Sequence, residues 1–220
     1  MPSIVFDMDG VLIDSERLVL RSWECVGEDL GLKGLHELFF RCIGTTHAST
    51  KKVFDAAYGG SVDYQDFRDR TRVYYMTFTR DGIPLKPGVM ELLRWLKEQG
   101  WKTGLASSSR EANVRHNMDV TGMGRYFDAL VCGDMLTASK PAPDIYLRAC
   151  AELCVEPAQT YAVEDSRNGI LSASAAGMKA LLVPDMVAPD EVMTRHALSI
   201  FPDLFAVQRW LQQHAHAEES

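Results

Sequence analysis

The sequence contains no basic run. Across 220 residues it carries 23 Lys and Arg against 30 Asp and Glu, a formal net charge of −7 at pH 7. Affinity for a nucleic-acid backbone needs clustered Lys and Arg, so nucleic acid is not an expected partner. Long apolar runs are absent as well. No window approaches the roughly 20 apolar residues of a membrane span, so no membrane partner is expected. The apolar stretch ahead of Asp7 is only Ile4-Val5-Phe6, too short for the core of a secretory signal, and the expected location is the cytoplasm. Cysteine is sparse and unpatterned. Of Cys25, Cys42, Cys132, Cys150 and Cys154, only the last two lie a helical turn apart, and no second Cys or His pair completes a zinc spacing. They read as ordinary thiols. Low-complexity segments and internal repeats are missing too. A monomer is the expected state.

What remains is ordinary for a globular chain: 46% hydrophobic and 24% charged residues. Residues 3–6 form a short apolar run that stops at Asp7-Met8-Asp9-Gly10, which reads as a buried strand ending in a loop. Residues 103–106, 129–132, 161–163 and 180–183 have the same character. Runs this short and this apolar suit a parallel sheet covered on both faces. Helical patterns alternate with them at 89–99, 142–153 and 168–176, and a closing amphipathic helix is expected over 202–214. The fold class is therefore α/β, a Rossmann-like parallel sheet. Residues 16–82 break the rhythm. They hold helix-compatible runs such as 16–30 and 64–79, and a plain loop of that length would be implausible. The expected organisation is a core of residues 1–15 and 83–220 with a helical insert, 16–82, after the first strand. Tyr74, Tyr75 and Phe78 are its expected packing face.

Ligands of parallel α/β sheets sit at the carboxyl ends of the strands. The first strand ends in Asp7-x-Asp9-Gly10, the second in Ser107-Ser108-Ser109 and another in Glu164-Asp165-Ser166, while Lys140 lies in the loop after the third. Each has a plain explanation taken alone: a turn, a helix cap, a solvated lysine. As a set they bring carboxylates, hydroxyls and one cation to a single edge. Asp7 and Asp9, two apart in extended chain, leave on the same side and repel each other. A divalent cation relieves that repulsion. Mg²⁺, which takes oxygen ligands and binds beside substrate phosphates, is the expected cofactor, with Asp165 as a further oxygen source.

These residues resemble the haloacid dehalogenase-like hydrolase superfamily over nearly the whole chain. Asp7-Met8-Asp9-Gly10-Val11, Ser107, Lys140 in Ser139-Lys140-Pro141, and Glu164-Asp165-Ser166 follow in the family's order. The subgroup it looks most similar to contains β-phosphoglucomutase and sugar-phosphate phosphatases, and the insert matches the family's cap. The resemblance implies that Asp7 attacks phosphorus and that Asp9 acts as acid and then base. It implies a metal site of Asp7, Asp165 and the carbonyl of Asp9, with Glu164 contributing. Ser107 and Ser108 with nearby N–H groups would bind phosphate, and Lys140 would offset charge.

A dehalogenase is disfavoured, because a second Asp, here Asp9, marks the phosphotransferase branch. The mutase is the stronger rival. Its pattern places a histidine twelve residues after the nucleophile, where this chain has Val19, and its cap arginine has no match beyond His47. Water is therefore the expected acceptor and a small phosphorylated metabolite the expected substrate. Glu16 and His47 are candidate substrate contacts from the insert. A non-catalytic docking protein on the same scaffold would be expected to have lost a catalytic group, and none is lost.

Overall fold

The structure, a computed structural model, describes residues 1–43, 45, 47–80 and 82–214, without the side chain of His47. It divides into two compact units, one of Met1–Asp14 with Pro84–Ser220 and the other of Ser15–Ile83.

In chain order the larger unit runs β1 (Ser3–Phe6), α5 (Val89–Glu98), β2 (Lys102–Ser107), α6 (Glu111–Thr121), β3 (Ala129–Cys132) and α7 (Asp144–Leu153). It continues with β4 (Thr160–Glu164), α8 (Arg167–Ala175), β5 (Lys179–Leu182), α9 (Glu191–His196), β6 (Ser199–Ile200) and α10 (Leu204–His214). The strands form one parallel sheet in the order β3-β2-β1-β4-β5-β6. Parallel strands lie between covering helices, which is why β1 is buried at all four positions and why its run does not alternate. On one face Val5, Ala106, Val131 and Ala162 pack with Ile145, Tyr146 and Ala149 of α7 and Ile170 of α8. Side chains of opposite parity take the other face. There Tyr161 stacks on Trp101 and meets Trp210 of α10 edge-on.

The expected parallel α/β sheet is present, with one strand more than the sequence pattern showed. β6 is two residues long, and Ile200 is exposed, so it carries no readable period. The helix α9 was not anticipated either. At six residues it is too short for an amphipathic pattern, and its start is held by the Asp190 carboxylate accepting the Met193 N–H at 2.7 Å. α7 begins at Asp144 rather than 142, because Ala142 donates its N–H to the Ser139 carbonyl in a turn.

The smaller unit is helical: α1 (Ser15–Leu30), α2 (Leu35–Cys42), α3 (His47–Tyr58) and α4 (Tyr64–Phe78). Its core is an aromatic cluster in which Trp23 meets Phe39 and Phe67 edge-on, with centroids 5.3 and 5.1 Å apart, and Phe54 lies 4.6 Å from Phe67. The expected packing face of Tyr74, Tyr75 and Phe78 is displaced by this cluster. All three are only half-buried, and Tyr74 turns its hydroxyl to Asp29 at 2.8 Å. No helix among the described residues is long and apolar enough to cross a membrane. Those residues hold all five cysteines, and all five are free thiols.

Candidate active site

The sheet order places β1 between β2 and β4, so the residues that follow or end these strands share one edge. Phe6 pairs with Leu105 and with Val163; one step on, Asp7, Ala106 and Glu164 lie level. Asp7 extends the ladder, donating its N–H to the Val163 carbonyl at 3.0 Å. The backbone thus fixes Asp7 and Glu164 side by side before any side chain is considered.

Lys140 ties them together. Its ammonium donates to Asp7 Oδ1 at 2.5 Å, to Glu164 Oε1 at 2.5 Å and to the Ala106 carbonyl at 3.0 Å. These three acceptors hold the ammonium as a tripod, with the Tyr146 hydroxyl oxygen a more distant fourth at 3.5 Å. Glu164, fully buried, accepts at Oε1 also from the Tyr146 hydroxyl at 2.6 Å. Its Oε2 accepts from the N–H groups of Asp165 (3.2 Å) and Ser166 (3.5 Å) and from the Ser166 hydroxyl (3.2 Å). Both oxygens of this buried carboxylate thus have protein donors, which offsets the cost of taking it out of water.

Asp7 is less well compensated. Burial, together with the charges of Glu164 and Asp9, outweighs Lys140 and pushes its carboxyl up to about 8. Burial pulls the Lys140 ammonium down, but the two carboxylates beside it outweigh that and hold its pKa above the ordinary lysine range. Burial and Glu164 push the Tyr146 phenol well up, so it is a donor at any working pH.

Asp7, Glu164 and Asp165 each offer a carboxylate oxygen, and these atoms lie within 4.8 Å of one another. Ionised, three carboxylates against one ammonium leave two negative charges, which a divalent cation neutralises. Hard oxygen donors suit such an ion. The main chain also makes room for the third carboxylate. Gly10 sits at φ +82°, and a Cβ there would lie 2.3 Å from Asp165 Oδ2. Only glycine supplies both that conformation and that space.

Asp9 is not one of those three carboxylates, but its charge reaches Asp7. Its Oδ2 accepts the Ser109 hydroxyl at 3.0 Å. Ser109 is itself pinned, donating its N–H to Ser107 Oγ at 3.1 Å and accepting the Gly133 N–H at 2.9 Å. Ser107 is buried at the end of β2, while Ser108 is exposed in the loop that follows. These serines do not cap α6 as their position suggests. The Glu111 N–H at its start goes instead to Asp134 Oδ1 at 2.9 Å.

The structure thus brings together Asp7, Asp9, Ser107, Lys140, Glu164 and Asp165 of the sequence-derived set. Glu16 lies half-buried in the first turn of α1, in the smaller unit. His47 begins α3, but its side chain lies outside the described residues, as do Gly44 and Thr46 before it. Sequence reasoning missed Tyr146, and it gave Ser109, named at the end of the second strand, and Gly169 no role of their own. Tyr146 follows Lys140 by six residues with no spacing signal. A Cβ on Gly169 would lie 1.9 Å from Glu164 Cδ, a constraint that only the folded chain reveals.

The chain is similar to known proteins over most of its length. The family model described as haloacid dehalogenase-like hydrolase matches residues 4–183. Hexitol phosphatase B of Escherichia coli is 33% identical over 211 residues, 92% of this chain and 93% of its own. The phosphorylated carbohydrates phosphatase of Thermotoga maritima is 29% identical over 179 residues, 81% of this chain and 83% of its own. Among solved structures, CbbY from Rhodobacter sphaeroides in complex with phosphate superposes with a TM-score of 0.73 at 25% identity, covering 92% of this chain and 94% of its own. A Thermotoga maritima protein provisionally described as a β-phosphoglucomutase gives 0.83 at 25% identity, covering 97% and 100%.

Proposed function

The chain belongs to the haloacid dehalogenase-like hydrolases, and we propose that this phosphoric monoester hydrolase is a Mg²⁺-dependent phosphatase of a small phosphorylated sugar or sugar alcohol. The observation that carries the reading is the buried carboxylate Asp7, seated on the Lys140 ammonium at 2.5 Å and beside Glu164 and Asp165. The substrate class follows the names of the curated relatives, a hexitol phosphatase and a phosphorylated carbohydrates phosphatase.

An Asp7 carboxylate oxygen attacks phosphorus. The P–O bond to the sugar breaks as the bond to Asp7 forms, giving an aspartyl-phosphate. Asp9 protonates the departing oxygen, and its ionised form then takes a proton from the water that attacks the aspartyl-phosphate. Inorganic phosphate leaves and Asp7 is regenerated. Asp7, Asp165 and the Asp9 carbonyl are the proposed holders of Mg²⁺, which when bound offsets charge on the transferring group. Glu164 contributes to that site and holds Lys140 there. The Ser107 hydroxyl, Ser108 and the N–H groups of their loop bind the phosphoryl oxygens, while Lys140 stabilises charge on Asp7. Glu16 and His47 are the proposed substrate contacts from the helical unit, and cap closure over the core is the proposed means of excluding water.

Phosphate release from a panel of phosphomonoesters with Mg²⁺ tests the reading. Asp7→Asn is expected to lower kcat at least about a thousandfold; undiminished turnover would sink it. The β-phosphoglucomutase description of a structural neighbour keeps one rival open. Supplying β-glucose 1-phosphate with a bisphosphate primer, followed by NMR, separates the two. Released phosphate supports the phosphatase, and glucose 6-phosphate without it supports the mutase.

A further inference from the structure

We propose that Tyr146 is a positioning residue of this site: its hydroxyl, by donating to Glu164, keeps Lys140 seated on Asp7. The role rests on the reading of Asp7 as the nucleophile, and its geometric part can be tested without that reading.

Two buried carboxylates share one ammonium. Lys140 has three N–H donors, and its shorter contacts are Asp7 Oδ1, Glu164 Oε1 and the Ala106 carbonyl, with the Tyr146 hydroxyl oxygen further off at 3.5 Å. It cannot strengthen one contact without weakening another. What decides the balance is how well each carboxylate is served by other donors. The Glu164 atom facing Lys140 is Oε1, and its other donor is the Tyr146 hydroxyl at 2.6 Å. The N–H groups of Asp165 and Ser166 and the Ser166 hydroxyl all go to Oε2. Glu164 is fully buried, so bulk water cannot replace a lost donor. With the hydroxyl gone, Oε1 depends on Lys140 alone and draws the ammonium toward itself, away from Asp7.

The hydroxyl is well placed for this: it lies 2.6 Å from Glu164 Oε1 and 3.5 Å from Lys140 Nζ. Tyr146 is completely buried on α7, in the core that also takes residues of β1, β2, β3 and β4. The ring lies 5.0 Å from Lys140 Nζ. A phenylalanine would therefore keep the packing and the ring–ammonium contact while removing the 2.6 Å donor to Glu164 and the 3.5 Å contact to Lys140 Nζ.

The test compares wild type, Tyr146→Phe, Glu164→Gln and the double variant. In a crystal structure of Tyr146→Phe, Lys140 Nζ is expected to stay on Glu164 and to move beyond about 3.5 Å from Asp7 Oδ1, outside hydrogen-bond range. Its kcat is expected to fall about tenfold, the scale of one hydrogen bond to a buried charge, with KM changed less than about threefold and the fold intact by thermal denaturation. Because the hydroxyl acts through Glu164, the double variant should be no slower than Glu164→Gln alone. Lys140 remaining on Asp7 in Tyr146→Phe overturns the proposal whatever the turnover. So does a double variant whose loss is the product of the two single losses. If wild type releases no phosphate, or Asp7→Asn keeps its turnover, the phosphatase reading falls while the crystal structure still decides the position of Lys140.

Discussion

Gly169, in the first turns of α8, leaves the space that the Glu164 carboxyl group occupies: a Cβ at residue 169 would lie 1.9 Å from Glu164 Cδ and Oε2. The Gly169 N–H also donates to Ser166 Oγ at 3.1 Å, and the Ser166 hydroxyl donates to Glu164. Helix, glycine and carboxylate are one unit. Alanine inside a helix normally stabilises by up to about 1 kcal/mol relative to glycine. Here the sign reverses, because the displaced group is pinned by Lys140 and Tyr146. Gly169→Ala is expected to destabilise by about 1–3 kcal/mol and to lower kcat. Urea denaturation and steady-state kinetics check both.

The raised carboxyl of Asp7 gives metal binding a pH dependence. A proton held up to about 8 competes with the cation for Asp7. Below that pH, the affinity of metal-stripped protein for Mg²⁺ should rise about tenfold per pH unit and level off above it. Calorimetric titrations between pH 6 and 9 test this, and a flat profile would count against it. The same group acts on stability in metal-free protein. Folding raises its pKa from the ordinary 3.8, so the folded state holds the proton more tightly. This contribution is full below about 4 and is lost as pH rises toward about 8.

Lys140→Met should be costly to the fold as well as to catalysis. It leaves the side chains of Asp7 and Glu164 without their shared cation in a place where they are 11% and 1% exposed. Breaking a buried pair from one side typically destabilises by about 3–5 kcal/mol. The denaturation midpoint should fall accordingly, and added Mg²⁺ should recover part of the loss.

Ser109→Ala isolates the support of the proposed acid and base. The Ser109 hydroxyl is a donor to Asp9 Oδ2 at 3.0 Å. Its loss is expected to lower kcat by about tenfold while KM changes little, since binding of the phosphoryl oxygens is untouched. A rise in KM at constant kcat would place Ser109 in substrate binding instead.

The thiols divide by environment. Burial pushes Cys132 up to about 11, and it lies at the end of β3. Cys150 is buried with its Sγ 3.9 Å from Met178 Sδ. Cys154 is exposed and Cys25 half-buried. Iodoacetamide at pH 8 should label Cys154 first and then Cys25 in native protein, and all five only after unfolding. Mass spectrometry of the labelled peptides reads this directly.

The larger elements were legible because burial on both faces writes itself into composition. The run 3–6 and its counterparts are continuous and apolar for the same reason that β1 is inaccessible to water. The polar residues at their ends stood out against that background. Where the physical signal is shorter than a period, it failed: β6 and α9 are too brief to show one. In the helical unit the core went to Trp23, Phe39, Phe54 and Phe67, which lie on different helices. Their association leaves no spacing to read.

Local chain order was thus enough to name Asp7, Asp9, Lys140, Glu164 and Asp165, because each follows an apolar run or a loop signal at the edge of a parallel sheet. It could not distinguish their stations. That Glu164 accepts from Lys140, Tyr146 and Ser166, and that Asp9 accepts the Ser109 hydroxyl, depends on which atoms a fixed backbone brings within 3 Å or so of one another. Hydrogen bonding and desolvation act across space, between residues as far apart in sequence as Asp7 and Lys140. Their outcome exists only once the sheet has set β1, β2 and β4 side by side.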